Sequence, residues 1–166
     1  MDRLICSTSK LQIMKAIIIL VLAIGLASNN MLAQDRNASD AIVGTWLVQD
    51  GSAKVKIEKS SGKYSGKLVW IKSPNDKSGK PLTDSKNPDK SLQSRQQLGL
   101  SLLQNFLYDG ENAWTDGTIY DPDSGKTYSC KITMKNNETM EVRGYVGISL
   151  FGRTDTWKRS EDITMK

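Results

Sequence analysis

The sequence contains no histidine. That absence removes serine and cysteine triads built on imidazole, His-ligated zinc, and the side chain most often used as a general base near neutral pH. Cysteine is almost missing as well. Of the two, Cys6 lies upstream of the apolar run Ala16–Ala27, where it cannot serve as a lipid-modified cysteine, and only Cys130 remains beyond that run. One thiol makes neither an internal disulfide nor a cysteine metal site, so the fold must be held by its core alone. Arginine-rich runs are lacking too. The lysines are scattered singly along strand-like segments and turns, which leaves no footprint for nucleic acid. What chemistry remains for an enzyme would have to come from carboxylates, Lys, Tyr or Ser.

A long hydrophobic span is also absent. "AIIILVLAIGLA", twelve uncharged residues after Lys15, is too short to cross a bilayer but suits the apolar part of a signal peptide. Residues 1–33 are therefore expected to be a signal peptide cleaved after Ala33, with Ser28 as another cleavage position. Met14 starts a normal signal peptide by itself, and an uncleaved membrane anchor is the competing reading. The protein is accordingly expected to be exported across the inner membrane, periplasmic or secreted, with no stable membrane insertion of the mature domain. Losing residues 1–33 removes three basic residues and one acidic one, so the net charge falls from +5 to +3. The remaining roughly 130 residues suffice for one domain with its own core. Residues 34–41 are expected to be a flexible lead-in, 42–159 the folded domain, and 160–166 a flexible tail.

From residue 42 onward, short strand patterns recur with turn signals every eight to twelve residues. In "AKVKIEK", Ala53, Val55 and Ile57 alternate with Lys54, Lys56 and Glu58, the period of a half-buried strand. Asp50-Gly51 and "DPDSG", Asp121–Gly125, are hairpin turns with a mechanism, because Asp-Gly and a late Gly accept positive φ. Eight strands are expected, at 42–49, 53–59, 63–71, 98–108, 112–120, 126–134, 138–146 and 152–159. A helix is the rival reading for 98–108. Eight antiparallel strands joined by tight turns close into an up-and-down β-barrel without exposed edges; a two-sheet sandwich is the alternative. Gly44 and Trp46 on the first strand face Trp157 and Arg159 on the last, so an Arg-over-Trp stack can seal one end.

Between strands three and four runs a polar loop, 72–97, holding three of the four prolines and only two aliphatic side chains, Leu82 and Leu92. A loop of this length in a small domain is either functional or disordered. "GTWLVQDG", "GKLVWIK", "GKPLTDSKNPDKSLQSR", "GTIYDPDSGKTY" and "VRGYVGISLFGRTDTWKR" together resemble the small exported bacterial proteins of domain of unknown function family 2147. The resemblance covers nearly the whole mature chain and implies a lipocalin-like (calycin-like) barrel, with no established reaction attached. Gln96 stands where the family pattern has Pro.

The loop is expected to hang over the barrel mouth as a lid pinned by its two leucines, with Asp84, Asn87, Pro88 and Arg95 as its working residues; a solvated loop without a ligand is the other reading. Strict alternation places Trp114, Asp116, Thr118 and Tyr120 on one face and Asp155, Trp157 and Arg159 on another, so Trp114, Asp116, Tyr120, Arg153 and Asp155 are candidate ligand-binding residues in the lumen. Arg143 is expected to turn outward, because Met140 and Val142 claim the interior. Cys130 alternates with Ile132 and is expected to be buried and inert. No metal is implied: "DKSGKPLTD" puts Lys80 where an EF-hand ligand should stand, and "DPDSG" reaches Gly125 at its third ligand position. No cofactor is implied either. The favoured function is an exported binding protein that holds a small lipophilic molecule in the barrel under the loop. A filled barrel acting as a structural or interaction protein of the cell envelope is the alternative. A hydrolase using Asp116 and Asp155 as its acid pair is third.

Overall fold

The computed structural model describes residues 38–162; the expected signal peptide lies outside them. The compact unit that begins at Ser39 is a closed barrel of eight antiparallel strands: β1 (Gly44–Leu47), β2 (Ala53–Ser60), β3 (Lys63–Ile71), β4 (Ser101–Tyr108), β5 (Ala113–Asp121), β6 (Lys126–Asn136), β7 (Thr139–Tyr145) and β8 (Gly152–Ser160). Each strand pairs with its sequence neighbour, and β1 closes onto β8 through Thr45–Ser160, Trp46–Arg159 and Leu47–Lys158. The segment 98–108 is strand from Ser101 on, not helix.

The alternating patterns explain the core. Val55 and Ile57 on β2, Tyr64 and Leu68 on β3, Cys130 and Ile132 on β6, and Met140 and Val142 on β7 are all buried, at every second position of their strands. Trp46, Phe106, Trp114 and Trp157 join the same cluster, so all eight strands feed one interior. Trp114 stands edge-on to Tyr64, ring centroids 6.2 Å apart, and tilted against Tyr108 at 5.1 Å, arrangements that suit ring quadrupoles. Cys130 is buried here, its thiol pushed up to about 12 by desolvation, which leaves it without thiolate at neutral pH. The indole N–H of Trp157 is the one buried side-chain polar group without a hydrogen-bond partner among the described residues.

The two barrel ends differ. At one, Arg159 lies over the Trp46 ring with its Cζ 4.3 Å from the centroid, and its guanidinium donates to the carbonyls of Asn137, Val43 and Ala41. A β carbon on Gly44 would stand 2.8 Å from Arg159 Nη1, so the glycine two residues before Trp46 leaves room for the guanidinium. Residues 39–41, expected to be part of a flexible lead-in, are instead tied to this end. The Ser39 carbonyl accepts from Trp114 Nε1 at 3.1 Å, and Asp40 Oδ1 accepts from Lys59 Nζ at 2.6 Å and from the Tyr64 hydroxyl at 2.7 Å. The other end carries the β1–β2 turn, the long loop, the β5–β6 turn and the β7–β8 connection.

Candidate functional site

Asp84 is the most unusual residue of the long loop: a carboxylate with no solvent exposure on a segment that is otherwise largely exposed. Its Oδ1 accepts from the Tyr120 hydroxyl at 2.5 Å, and its Oδ2 accepts from Asn87 Nδ2 at 2.8 Å and from Arg95 Nε at 2.9 Å and Nη2 at 2.7 Å. Asn87 Nδ2 also reaches the Tyr120 oxygen at 3.2 Å. A buried carboxylate with four such contacts is held by charge-assisted hydrogen bonds on both oxygens, the condition under which burying a charge is tolerable. Backbone bonds complete the lock: Asp84 N to Arg95 O, Asn87 N to Asp84 O, and Gln97 N to Leu82 O. The bridge between Thr83 and Gln96 and the 3-10 turn Lys90–Leu92, capped by Asp89, give the rest of the loop its shape. Leu82 is half-buried and Leu92 is exposed, so the expected leucine pins are replaced by a polar latch centred on Asp84.

Register tells where the latch sits. Gly117 pairs with Cys130 and Ile119 with Tyr128, and a β carbon on Gly144, the β7 partner of Cys130, would meet Ile119 and Tyr128 on this same lumen face; Tyr120, paired with Thr127, therefore points to the outer wall. The loop packs over β5 from outside and does not roof the lumen at this point. Strict alternation failed because Asp116 is an extra residue: the pairing slips between Trp114 and Gly117, and Asp116 has φ 58°. Such a bulge reverses the facing of everything beyond it. Trp114 is accordingly in the core, Asp116 is exposed, and Tyr120 is covered by the loop, so these three do not share a lumen face. On β8 alternation holds: Asp155 shares the lumen side with Trp157, and Arg153 joins it at the rim, its side chain 87% exposed and its Nε 3.1 Å from Asp155 Oδ1. Asp116 and Asp155 lie on opposite faces of strands separated by β6 and β7, so they form no acid pair. Arg143 points outward, donating to the Ser149 and Leu150 carbonyls and the Thr154 hydroxyl.

Next to the latch, between the returning half of the loop and the outer wall, is a groove of about 600 Å³. Pro88, Leu98 and Leu100 give it apolar surface; Arg95, Gln96, Gln104 and Thr127 give it donors and acceptors, and Tyr120 lies at its back. Of the loop residues singled out from sequence, Asn87, Pro88 and Arg95 line it, while Asp84 supports it from beneath. Of the lumen set, only Tyr120 reaches it. Leu98, Ser101 and Gln104 were missed, because nothing in an alternating pattern tells which outward positions a loop will overhang.

Burial pushes the Asp84 carboxyl up, but hydrogen bonds from Tyr120, Asn87 and Arg95 outweigh it and hold the group below the ordinary carboxylate range. Burial and then the facing carboxylate push the Tyr120 phenol up, keeping it a neutral donor. Asp84 thus binds its proton less readily folded than unfolded, so its contribution is complete above the unfolded value near pH 3.9 and disappears as pH falls through the lower folded one. Protection of the amides of residues 83–97, measured relative to their intrinsic exchange rates, is expected to fall on acidification below about pH 4 before the strands lose protection; simultaneous loss in loop and strands would count against the latch. Gly125 supports the same contact from the turn side, with φ +70° and a missing β carbon that would stand 1.8 Å from the Lys86 carbonyl oxygen. Gly125→Ala is expected to push the loop off the turn at a cost of about 2 kcal/mol. Urea melting together with loop-specific exchange checks this, and an unchanged loop would refute it.

Among the described residues, no three His, Cys, Asp or Glu side chains converge as a metal site. Compared with known proteins, residues 44–159, from the first residue of β1 to Arg159 of β8, match the model of a bacterial family described as uncharacterised proteins conserved in bacteria. No curated protein matches the chain. A solved structure of a protein from the human pathogen Helicobacter pylori, which belongs to the lipocalin family, is similar with TM-score 0.65 and 22% identity, covering 73% of this chain and 84% of that one.

Proposed function

Because the chain belongs to the bacterial family of domain of unknown function 2147 and folds as a lipocalin-like barrel, we propose that it binds a small molecule in the groove beside the long loop. The observation that carries this reading is the latch: a fully buried carboxylate fixes Asn87, Arg95 and Tyr120 around a groove of about 600 Å³, within the size range of small-ligand sites. The lining suits a molecule with an apolar body and a hydrogen-bonding edge. Arg95 spends two nitrogens on Asp84, so the groove offers neutral donors and acceptors more than net charge. Trp46, Phe106 and Trp114 pack the sealed end of the barrel, and the convergence of the latch residues on the groove favours it over the lumen as the place of the ligand. Export across the inner membrane belongs to the same proposal and rests on the run Ala16–Ala27 after Lys15.

The aromatic packing at the sealed end also favours a second reading, a solid-barrel structural or interaction protein of the cell envelope. Native mass spectrometry of the protein isolated from its own host separates the two. A co-purifying small molecule lost in Leu98→Asp supports the groove; repeated isolation without added mass supports the solid barrel. Fractionation of the same cells tests export, and a purely cytoplasmic protein would refute it.

A further inference from the structure

The connection between β7 and β8, residues 146–151, reads "VGISLF" and shows four large apolar side chains to solvent. Val146, Ile148, Leu150 and Phe151 are between 61% and 74% exposed, while the next most exposed large hydrophobic, Leu98, is at 49%. Scattered exposed apolar residues need no explanation, but four in six residues do. The segment has a definite shape. Phe151 N donates to Ile148 O, and Arg143 on the outer wall donates to the Ser149 and Leu150 carbonyls. The apolar side chains are thereby presented on a braced projection at the loop-bearing end of the barrel.

Charge distinguishes that end from the other. Between Glu141 and Asp155 the only charged residues are Arg143 and Arg153; Arg153 is ion-paired with Asp155 through Nε, but its side chain is 87% exposed and reaches solvent beside the projection. The connections at its end carry six basic residues against five acidic. Those at the end sealed by Trp46 carry six acidic residues and, among the described residues, no basic one. The loop-bearing connections are thus net +1 and those of the sealed end net −6, three of the latter's acids being paired with Lys56, Lys59 and Lys131, so an anionic bilayer surface favours the first end over the second. A protein partner fits less well. A stable protein interface takes some 20–30 residues from each side, whereas an acyl-chain and headgroup boundary accepts a small convex apolar tip with no matching shape.

We propose that residues 146–151 dock the barrel peripherally onto an anionic lipid surface, with Leu150 and Phe151 inserted among the headgroups and Arg153 beside lipid phosphates. The docking does not depend on the groove being a ligand site. It is a surface contact and involves no spanning segment; no helix among the described residues is long and apolar enough to cross a membrane.

The protein in its host-processed form should co-float with vesicles of phosphatidylethanolamine and phosphatidylglycerol, and bind more weakly to phosphatidylcholine alone. Leu150→Ser combined with Phe151→Ser should weaken binding to the anionic vesicles at least tenfold without changing the melting temperature, since both side chains are exposed. Arg153→Gln should weaken binding to the anionic vesicles and leave binding to phosphatidylcholine unaltered. Failure of the wild-type protein to bind either vesicle, or equal binding by the double variant, overturns the proposal. Loss from the double variant of a co-isolated protein, with vesicles never bound, replaces it with a protein interface.

Discussion

Asp84→Ala is expected to release the long loop from the barrel wall at a cost of about 2–4 kcal/mol. The deleted carboxylate accepts the shortest contact that joins the loop to Tyr120 and the side-chain contacts from Asn87 and Arg95. Its removal leaves the buried Tyr120 hydroxyl without its acceptor. Asn87 Nδ2 keeps only the 3.2 Å contact to that hydroxyl. Arg95 is the exception. Its side chain is 42% exposed, so it turns to water at little cost, and the effect stays below that of stranding a fully buried charge. Asp84→Asn keeps the shape and an acceptor oxygen and should cost less; Tyr120→Phe strands Oδ1 and should fall between the two. The readout is amide exchange at Asp84, Asn87 and Gln97, whose N–H groups are bonded within the loop, alongside global melting. Exchange should rise sharply at these sites, and ligand retention in the groove should fall with it. A variant that melts early while its loop amides stay protected would show that Asp84 supports the barrel and not the loop.

The same latch shows what the sequence does and does not reveal. Strand number and limits are readable because alternation and turn chemistry agree. Asp50 Oδ1 caps Ser52 N as an Asp-Gly turn requires, and Asp121 accepts from Asp123 N, Ser124 Oγ and Gly125 N around the β5–β6 turn. Closure is readable from the Gly-x-Trp and terminal Arg, since the two strands that carry them must meet in a barrel. Within the loop, where no periodicity exists, Asp84, Asn87, Pro88 and Arg95 stand out by side-chain type alone, inside a segment that the family resemblance also covers. Their convergence on Tyr120 was not readable, because a strict period of two carried past "WTDG" misplaced every residue beyond Asp116. The signal was present: Asp followed by Gly inside a strand marks a position that tolerates positive φ, hence a bulge. The apolar projection was equally unmarked by alternation, although Gly147 and Gly152 bracket a run too long for a tight turn.

Trp46→Ala should cost about 3–5 kcal/mol, a large share of the 5–15 kcal/mol that holds a typical domain folded. Trp46 is fully buried and its Nε1 donates to the Ile42 carbonyl at 2.8 Å, so truncation leaves a ring-sized void and an unmet acceptor. The location raises the stakes. The β1–β8 seam has three register pairs and is the last contact needed to close the sheet. Across it, Arg159 spans the ring and the carbonyls of Val43 and Ala41, tying strand, lead-in and chain end together. Asp162 adds an acceptor for the buried Thr45 hydroxyl and an exposed ion pair with Lys56 that contributes little. A fall in melting temperature of about 10–15 °C should follow, with exchange opening first along β1 and β8. Trp46→Phe and Arg159→Met, made singly and together, isolate the stack. Their coupling should be about 0.5–2 kcal/mol, and additive effects would mean that the guanidinium holds the seam through its carbonyl contacts alone.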